Sequence, residues 1–337
     1  MKQKLTWKVV GLLLLIPGFG WSQDPSFSQF FSSPLNINPG LTANINSKWR
    51  LVTNFRDQWI GPASPYATGT VSFDSKIMKD KLPETSVLGL GGMLMYDYAQ
   101  SGIHQSLYGS MNVSYNITLS NDVGDHRLGI GVGGIIANKR ISFHRLIYPE
   151  QFVGNGFDTN LPSGEAALSN MKPYFSTSAG GTYSFTNDRS NFDMGLAVFH
   201  LNRPKQTVLD DPNKYLAMRK VVHANFETYL NDNILLNTNG IYQEQSKASY
   251  FSLGGALGFF INETGEDQIF YVGMWYWSKN AIIPYIGLRY KNMQFGLTYD
   301  VTISKLSEAE QKPKTFELSF ILRGDDHKDG IIWCPWK

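Results

Sequence analysis

The sequence has little of several features that would point to common protein classes. It has one cysteine in 337 residues, which excludes a disulfide within one chain, and its apolar run at residues 9–16 is far shorter than the about 20 residues of a membrane-spanning helix. The net charge is only +2, and the six histidines lack a zinc-ligand spacing such as H-x-x-x-H. These absences predict no disulfide scaffold, no helical membrane protein, no nucleic-acid partner and no metal or other cofactor.

The N-terminus has the pattern of a secretory signal. Lys2, Lys4 and Lys8 precede the apolar run, and Gly20 and Ser22 occupy the −3 and −1 positions of a signal-peptidase site. The sequence therefore predicts a signal peptide at residues 1–22, a mature chain that begins at Gln23, and export from the cytoplasm.

Strict alternation of apolar and polar residues follows further along the chain. At 292–302 the apolar side chains alternate with polar residues and glycine, so one face of a strand is apolar and the other polar. The apolar set is Met293, Phe295, Leu297, Tyr299 and Val301. Together with the signal peptide, this pattern favours a β-barrel in a bacterial outer membrane over a soluble enzyme.

The chain contains fourteen segments of this kind, an even number typical of bacterial barrels. We therefore predict an all-β fold, a transmembrane antiparallel β-barrel of about 14 strands that spans residues 47–323, with a tail at 324–337. The segments lie at 48–59, 66–75, 86–98, 106–119, 126–138, 174–186, 192–203, 219–230, 233–243, 249–262, 268–278, 282–290, 292–304 and 314–323.

The first segment predicts which face meets lipid. Trp49 and Trp59 lie on one face, and a tilted strand would separate them by roughly 23 Å along the membrane normal, as two aromatic girdles require. A soluble sandwich could also carry Trp at both ends of a strand. The opposite face would point into the lumen, and so would Arg289 and Asp300 elsewhere in the chain; these groups could form structural ion pairs or handle a substrate. The lumen face of this segment is Arg50, Asn54, Arg56 and Gln58.

Turn residues and loops fit the same architecture. Polar clusters such as 121–125 and 263–267 separate neighbouring strands. The longer connections at 145–173 and 204–217 are expected on the outer side of the membrane, because transmembrane barrels have short periplasmic turns.

The mature N-terminus, residues 23–46, does not resemble a strand. Asp24 precedes Pro25 in the manner of a helix cap, and Phe27, Phe30 and Phe31 follow at helical spacing. We expect a short helix that ends before Pro34. We expect a short periplasmic or plug segment that enters the periplasmic mouth of the barrel; the alternative is a partly ordered tail.

Enzymatic motifs are weak. Residues 129–134 fit the dinucleotide fingerprint G-x-G-x-x-G, but the sequence continues as a strand rather than a helix, so a curved barrel wall is favoured. The acidic residues at 325–329 resemble a calcium loop, but Trp336 stands where the glutamate ligand belongs. No serine and histidine obviously converge. The sequence does not predict an enzyme.

Several motifs resemble the PorP/SprF family of the type IX secretion system. They are the N-terminal stretch from Asp24 to Pro39, the Arg-x-Gln-Trp pattern at 56–59, the strands at 284–290 and 295–306, Phe316-Glu-Leu-Ser, and Cys334-Pro335; Gly40 departs from the alanine expected there. The resemblance runs through the mature chain in the expected order. Candidate structural or partner-binding residues are Asp24, Pro25, Phe27, Gln29, Pro34, Asn38, Pro39, Arg56, Gln58, Trp59, Arg289, Tyr299, Asp300 and Ser304.

The resemblance implies an integral outer-membrane protein of Bacteroidetes that contacts lipid. Some members are core parts of the secretion machine and associate with its periplasmic ring of lipoprotein and partner protein. Others are needed to export or anchor large surface adhesins, including those of gliding motility. The alternative from the residues alone is a general porin or a small-ligand channel.

Overall fold

A computed structural model describes residues 24–61, 66–142, 146–162, 172–206, 215–261, 268–308 and 312–324. The signal peptide, the calcium-like stretch at 325–336 and Cys334 lie outside these residues. The described chain contains fifteen strand segments. They are β1 Trp49–Ile60, β2 Tyr66–Ile77, β3 Ser86–Ala99, β4 His104–Asn121, β5 Gly124–Ile141, β6 Tyr174–Thr186, β7 Ser190–Phe199, β8 Arg219–Asn231, β9 Ile234–Gln245, β10 Ala248–Phe260, β11 Gln268–Trp277, β12 Ala281–Tyr290, β13 Met293–Tyr299, β14 Val301–Thr302 and β15 Lys314–Arg323.

These segments form a closed antiparallel barrel. From β1 to β13 each strand pairs with the next along the chain, β13 pairs with β15, and β1 pairs with β15 to close the wall. The short β14 continues β13 after Asp300 and pairs with β12, so the wall has 14 strands. The predicted fold is confirmed.

The two faces of the wall differ as the alternation predicts. On β13 the side chains of Phe295, Leu297 and Tyr299 are exposed on the outer face, and those of Gln294 and Thr298 are buried in the lumen. An apolar outer face is what a lipid environment requires, because hydrocarbon offers no hydrogen-bond partners.

The strand boundaries show two differences from the sequence prediction. The segment 292–304 is interrupted at Asp300, whose backbone N–H instead donates to the carbonyl of Thr315. Strands β4 and β5 extend at both ends beyond their predicted limits. The extra residues are largely polar and charged, so apolar alternation could not reveal them.

Turn lengths distinguish the two ends of the barrel. The connections at 122–123, 187–189, 232–233 and 291–292 are short and share an end with the start of β1 and the end of β15. The connections at 142–173, 200–218 and 303–313 lie at the opposite end. By the usual asymmetry of outer-membrane barrels, the long-loop end faces the cell surface and the short-turn end faces the periplasm.

Helical structure is limited to short pieces, and none of the described helices is long and apolar enough to cross a membrane. The predicted helix starting at Asp24 is wrong, because residues 24–27 are irregular and Pro34 begins a helix instead of ending one. Proline fits the first helical position, where its missing N–H costs no bond. The pieces are an α-helical turn at Pro34–Ile37 and 3₁₀ turns at Phe30–Ser32, Pro39–Leu41, Lys79–Lys81, Gln100–Gly102, Pro149–Gln151 and Lys305–Glu308.

Residues 24–46, which we call the plug, lie inside the barrel and are almost entirely buried. The plug starts beside residues of the cell-surface end, since the Asp24 N–H donates to Gln245 at the end of β9. It then runs down the lumen and joins β1 at the periplasmic end. The segment therefore threads the whole lumen, which differs from the periplasmic-mouth position expected from the sequence.

Candidate functional site: the plugged lumen

The outer end of the plug is held by a cluster of polar side chains. Asp24 Oδ2 lies 2.7 Å from His200 Nε2 and 3.4 Å from Arg219 Nε, and Ser176 Oγ lies 2.7 Å from His200 Nδ1. His200 follows β7 with a positive φ of 59°, a conformation that non-glycine residues seldom adopt. His200 and Arg219 thus supply the polar partners that a buried Asp24 carboxylate requires.

A second cluster holds the next turn of the plug. Arg56 Nη2 donates to Asp300 Oδ2 at 2.9 Å, and Arg56 Nη1 donates to the Ser26 carbonyl at 2.8 Å. The Ser28 hydroxyl donates to Asp300, and the Ser28 N–H donates to Glu317 Oε2 at 2.7 Å. Buried charges are tolerated only when they are paired in this way, so the plug and the wall complete each other's polar network.

Aromatic packing holds the same region of the plug from a neighbouring part of the wall. The ring of Phe31 lies 4.7 Å from that of Trp275 and 5.8 Å from that of Tyr285, and Phe30 packs against Phe31. All four rings are buried. Burial of rings of this size contributes several kcal/mol of apolar stabilisation, about 25 cal/mol per Å².

The middle of the plug approaches the wall closely. Asn38 Nδ2 donates to the carbonyls of Gly181 and Leu196 at 3.1 and 3.2 Å. A Cβ added to Gly131 would lie 2.4 Å from the Pro39 carbonyl, so only glycine fits there. Gly131 belongs to the run at 129–134 that mimics a dinucleotide fingerprint. The run lies in β5, as predicted. The close approach of the plug is one physical reason why glycine occurs in it.

The periplasmic end of the plug is held by an ion pair of the wall. Arg50 Nη2 lies 2.8 Å from Asp74 Oδ2, and both side chains are fully buried. Asp74 also accepts the N–H of Ala43 at 2.7 Å, and Arg50 donates to the Leu41 carbonyl at 3.2 Å. The same pair therefore joins β1 to β2 and fixes the plug before it enters β1.

Cavities differ in size on the two sides of the wall. One cavity between the plug and the wall, lined partly by Phe31, Asp193 and Asn239, measures about 60 Å³, which is room for a few water molecules. A cavity of about 900 Å³ lies on the lipid side of the wall, beside Phe55 and Leu94, and is not part of the lumen volume.

Comparison with known proteins identifies the chain. Residues 20–322 match the family described as "Type IX secretion system membrane protein PorP/SprF". The chain belongs to the PorP/SprF family. The resemblance predicted from the motifs is confirmed, and the match together with the closed barrel places this PorP/SprF protein in the bacterial outer membrane, in contact with lipid. PorP/SprF is a family of secretion-system membrane proteins and not a family of enzymes.

Solved structures share the barrel fold with this PorP/SprF protein. Two mutants of the TodX monoaromatic hydrocarbon channel, deltaS2S3 and deltaS2, each have a TM-score of 0.50. The first is 9% identical, with 86% of this chain and 93% of that chain covered; the second is 7% identical, with 88% and 94% covered. The P. putida toluene transporter TodX matches at a TM-score of 0.46, 9% identity and coverage of 86% and 93%. No curated protein matches the sequence.

The structure brings together many of the candidate residues taken from the PorP/SprF motifs. Arg56, Asp300 and Gln29 meet around Glu317, since the Gln29 N–H donates to Glu317 Oε1 at 3.0 Å. Arg289 is buried on β12, within electrostatic range of Glu227. Those that lie buried in the lumen are Asp24, Phe27, Gln29, Pro34, Asn38, Pro39, Arg56, Arg289 and Asp300.

Other candidates lie away from the buried clusters. Trp59 and Tyr299 are exposed on the outer face, where lipid or its headgroups would contact them. Pro25 and Gln58 are half-buried. Ser304 follows β14 at the cell-surface end, and its hydroxyl is buried without a hydrogen-bond partner in the described structure.

Sequence reasoning missed the partners of these residues. Asp74, Glu317, His200 and Arg219 are the wall groups that hold the plug, yet nothing in the local sequence singles them out. The alternation of apolar and polar residues places Asp74 and Glu317 on the inward faces of their strands. Their pairing with residues 24 to 289 positions away in the chain, such as Ser28 with Glu317, could not be predicted.

The sequence also did not predict that Ser176, His200 and Asp24 lie in contact. Their Ser–His–Asp arrangement resembles that of a hydrolytic triad. Here, however, the serine contacts Nδ1 and the carboxylate contacts Nε2, and Ser176 is completely buried. A nucleophile must reach its substrate beside an oxyanion site, so this geometry serves to hold the plug. In the described part of the chain no group of His, Cys, Asp and Glu could hold a metal ion.

Proposed function

We propose that this protein works in type IX secretion through protein contacts at its cell-surface end, as the outer-membrane partner of an exported surface protein such as a large adhesin. The observation that carries the proposal is the plug. Because residues 24–46 fill the lumen and pair its buried charges, the interior is unsuited to the traffic of a general porin, which needs an open polar channel. The surfaces left for function are the two ends.

An apolar loop favours the cell-surface end. In the connection between β5 and β6, Ile147, Phe152, Val153 and Phe157 are each more than half exposed, and the rings of Phe152 and Phe157 pack 5.2 Å apart. Exposed apolar patches of this kind commonly mark protein interaction sites. The loop lies outside the barrel wall, so a protein partner would bury it.

A second role, as a core component bound to the periplasmic ring of lipoprotein and partner protein, would use the opposite end. The connections there are at most eight residues long, at 78–85, and their residues are mostly polar, as in Asp188 and Asn233. This composition favours the cell-surface role over the ring role.

The test compares partners recovered from native outer membranes by cross-linking and mass spectrometry. The double variant Phe152→Ser and Phe157→Ser should lose a surface protein that the wild type retains. The matched control is Val123→Ser, an equally exposed apolar residue in a periplasmic turn, which should retain it. Recovery of ring components alone, with no effect of the loop variant, would assign the protein to the core machine. Ion conductance by the wild type in planar bilayers would instead support the porin.

A further inference from the structure

The wall of the barrel binds the main chain of the plug along its whole length. Arg56 and Asn54 donate to the carbonyls of Ser26 and Ser32 at 2.8 and 2.9 Å. Near the middle, Arg219 donates to the Asn36 carbonyl at 2.9 Å. Main-chain N–H groups are bound as well, by Glu317, Gln245 and Asp74.

Main-chain groups are common to every polypeptide, so contacts to them tolerate a change of sequence. Recognition of extended peptides generally takes this form: main-chain hydrogen bonds give affinity, and a few side-chain pockets give selectivity. In this lumen the main pocket is aromatic, where Phe31 packs against both Trp275 and Tyr285. Side-chain contacts of Ser28, Gln29 and Asn38 add further selectivity.

The plug also resembles a bound peptide in its own structure. Its three helical pieces are three or four residues long, Phe30–Ser32, Pro34–Ile37 and Pro39–Leu41, too short to be stable alone. It is continuous with the wall only where it enters β1. A tether of this kind raises the effective concentration of a peptide at its site without adding contacts.

We infer that the lumen is a binding site for a polypeptide segment without long regular structure, and that residues 24–46 are its resident occupant. A segment of another polypeptide that carries an aromatic pair for the Trp275 and Tyr285 pocket takes the same site when the plug leaves. This inference goes beyond the docking of a partner on the outer loops, because it concerns the interior of the barrel.

Cutting the tether tests the inference in the full-length barrel. A protease site inserted between Asn46 and Ser47 is cleaved in detergent, and two fluorescent peptides are added. One has the sequence 24–46, and the other keeps Phe30 and Phe31 in place but scrambles the remaining residues. Both should exchange into the cleaved barrel, the scrambled peptide with at most about tenfold weaker affinity, and neither should enter the uncleaved barrel. Exclusion of both peptides, or binding of the native sequence alone, would overturn the inference.

A second measurement does not depend on cleavage. The full-length Phe31→Ala variant, with its plug loosened, is expected to leak ions in planar bilayers. Added native peptide should close the leak, whereas a peptide with Phe30 and Phe31 replaced by alanine should not. A leak that peptide leaves unchanged counts against the site. Neither measurement involves the exported partner. Partner recovery with the loop variant therefore tests the proposed function, and peptide exchange separately tests the binding site in the lumen.

Discussion

Two sides of the lumen hold the plug by different physics. The wall of β1 and β2 faces it with charged and hydroxyl groups, and the wall of β11 and β12 faces it with large apolar side chains. The inward residues of the first are mostly polar, namely Arg50, Asn54, Arg56, Thr68, Thr70, Ser72 and Asp74, with the apolar Val52 among them. Those of the second include Ile269, Tyr271, Trp275, Trp277, Ile283 and Tyr285.

The two walls therefore contribute different things. Hydrogen bonds are directional, so the polar wall sets the path and register of the plug's main chain. Burial of apolar area is not directional, so the aromatic wall contributes attraction with less geometric constraint. Arg56 links the two, since its guanidinium pairs with Asp300 and also lies 4.8 Å from the centre of the Trp277 ring.

The largest loss of stability is expected from Arg56→Ala on the polar wall. The change leaves Asp300 and Glu317 buried without their cation, and we expect a loss of about 3 to 5 kcal/mol in the free energy of unfolding. Urea unfolding in detergent and heat-modifiable migration on gels measure it. The control is Lys220→Ala, which removes an exposed ion pair with Glu244 and should cost less than about 1 kcal/mol. Wild-type migration and a normal amount of Arg56→Ala at the cell surface would contradict the expectation.

On the aromatic wall, Phe31→Ala should cost about 3 kcal/mol, because it empties a buried site against Trp275 and Tyr285. The same change should open an ion leak. Phe175→Ala removes a ring of the same size from the outer face and should leave the barrel closed. Equal leaks in the two variants would mean that the plug does not seal the lumen.

The variant Gly131→Ala tests the close contact between Pro39 of the plug and β5. The added methyl would collide with Pro39, and overpacking of this kind should cost about 2 kcal/mol. Gly134→Ala is the matched change in the same strand, where the nearest neighbour is the Phe175 side chain at 3.0 Å, a group able to move. If the two variants unfold at the same urea concentration, the plug does not constrain position 131.

The smallest effect is expected from a single hydrogen bond of the polar wall. Asn54→Ala removes the donor to the Ser32 carbonyl and should cost about 1 kcal/mol. Thr53→Ala, one residue away on the outer face, is the control in the same urea titration. A loss at Asn54 as large as that at Phe31 would show that the two walls do not differ as proposed.

Much of the wall could be predicted from the sequence, whereas its contacts could not. Alternation in 292–302 assigned Phe295 outward and Gln294 inward because a strand allows only two faces. The same rule placed Arg56 and Asp300 in the lumen. It could not predict that the two would pair, because they are 244 residues apart. The N-terminal helix prediction failed because capping and spacing rules describe an isolated segment, while Asp24 forms its contacts with the wall.

The sequence by itself determined the number and faces of the strands and membership of the PorP/SprF family, since these depend on local order along the chain. Only the tertiary structure decided that residues 24–46 thread the lumen from the cell-surface end. That outcome depends on buried charges and rings from distant strands finding partners in one segment. Such pairing is set by closure of the barrel and not by any neighbouring residue.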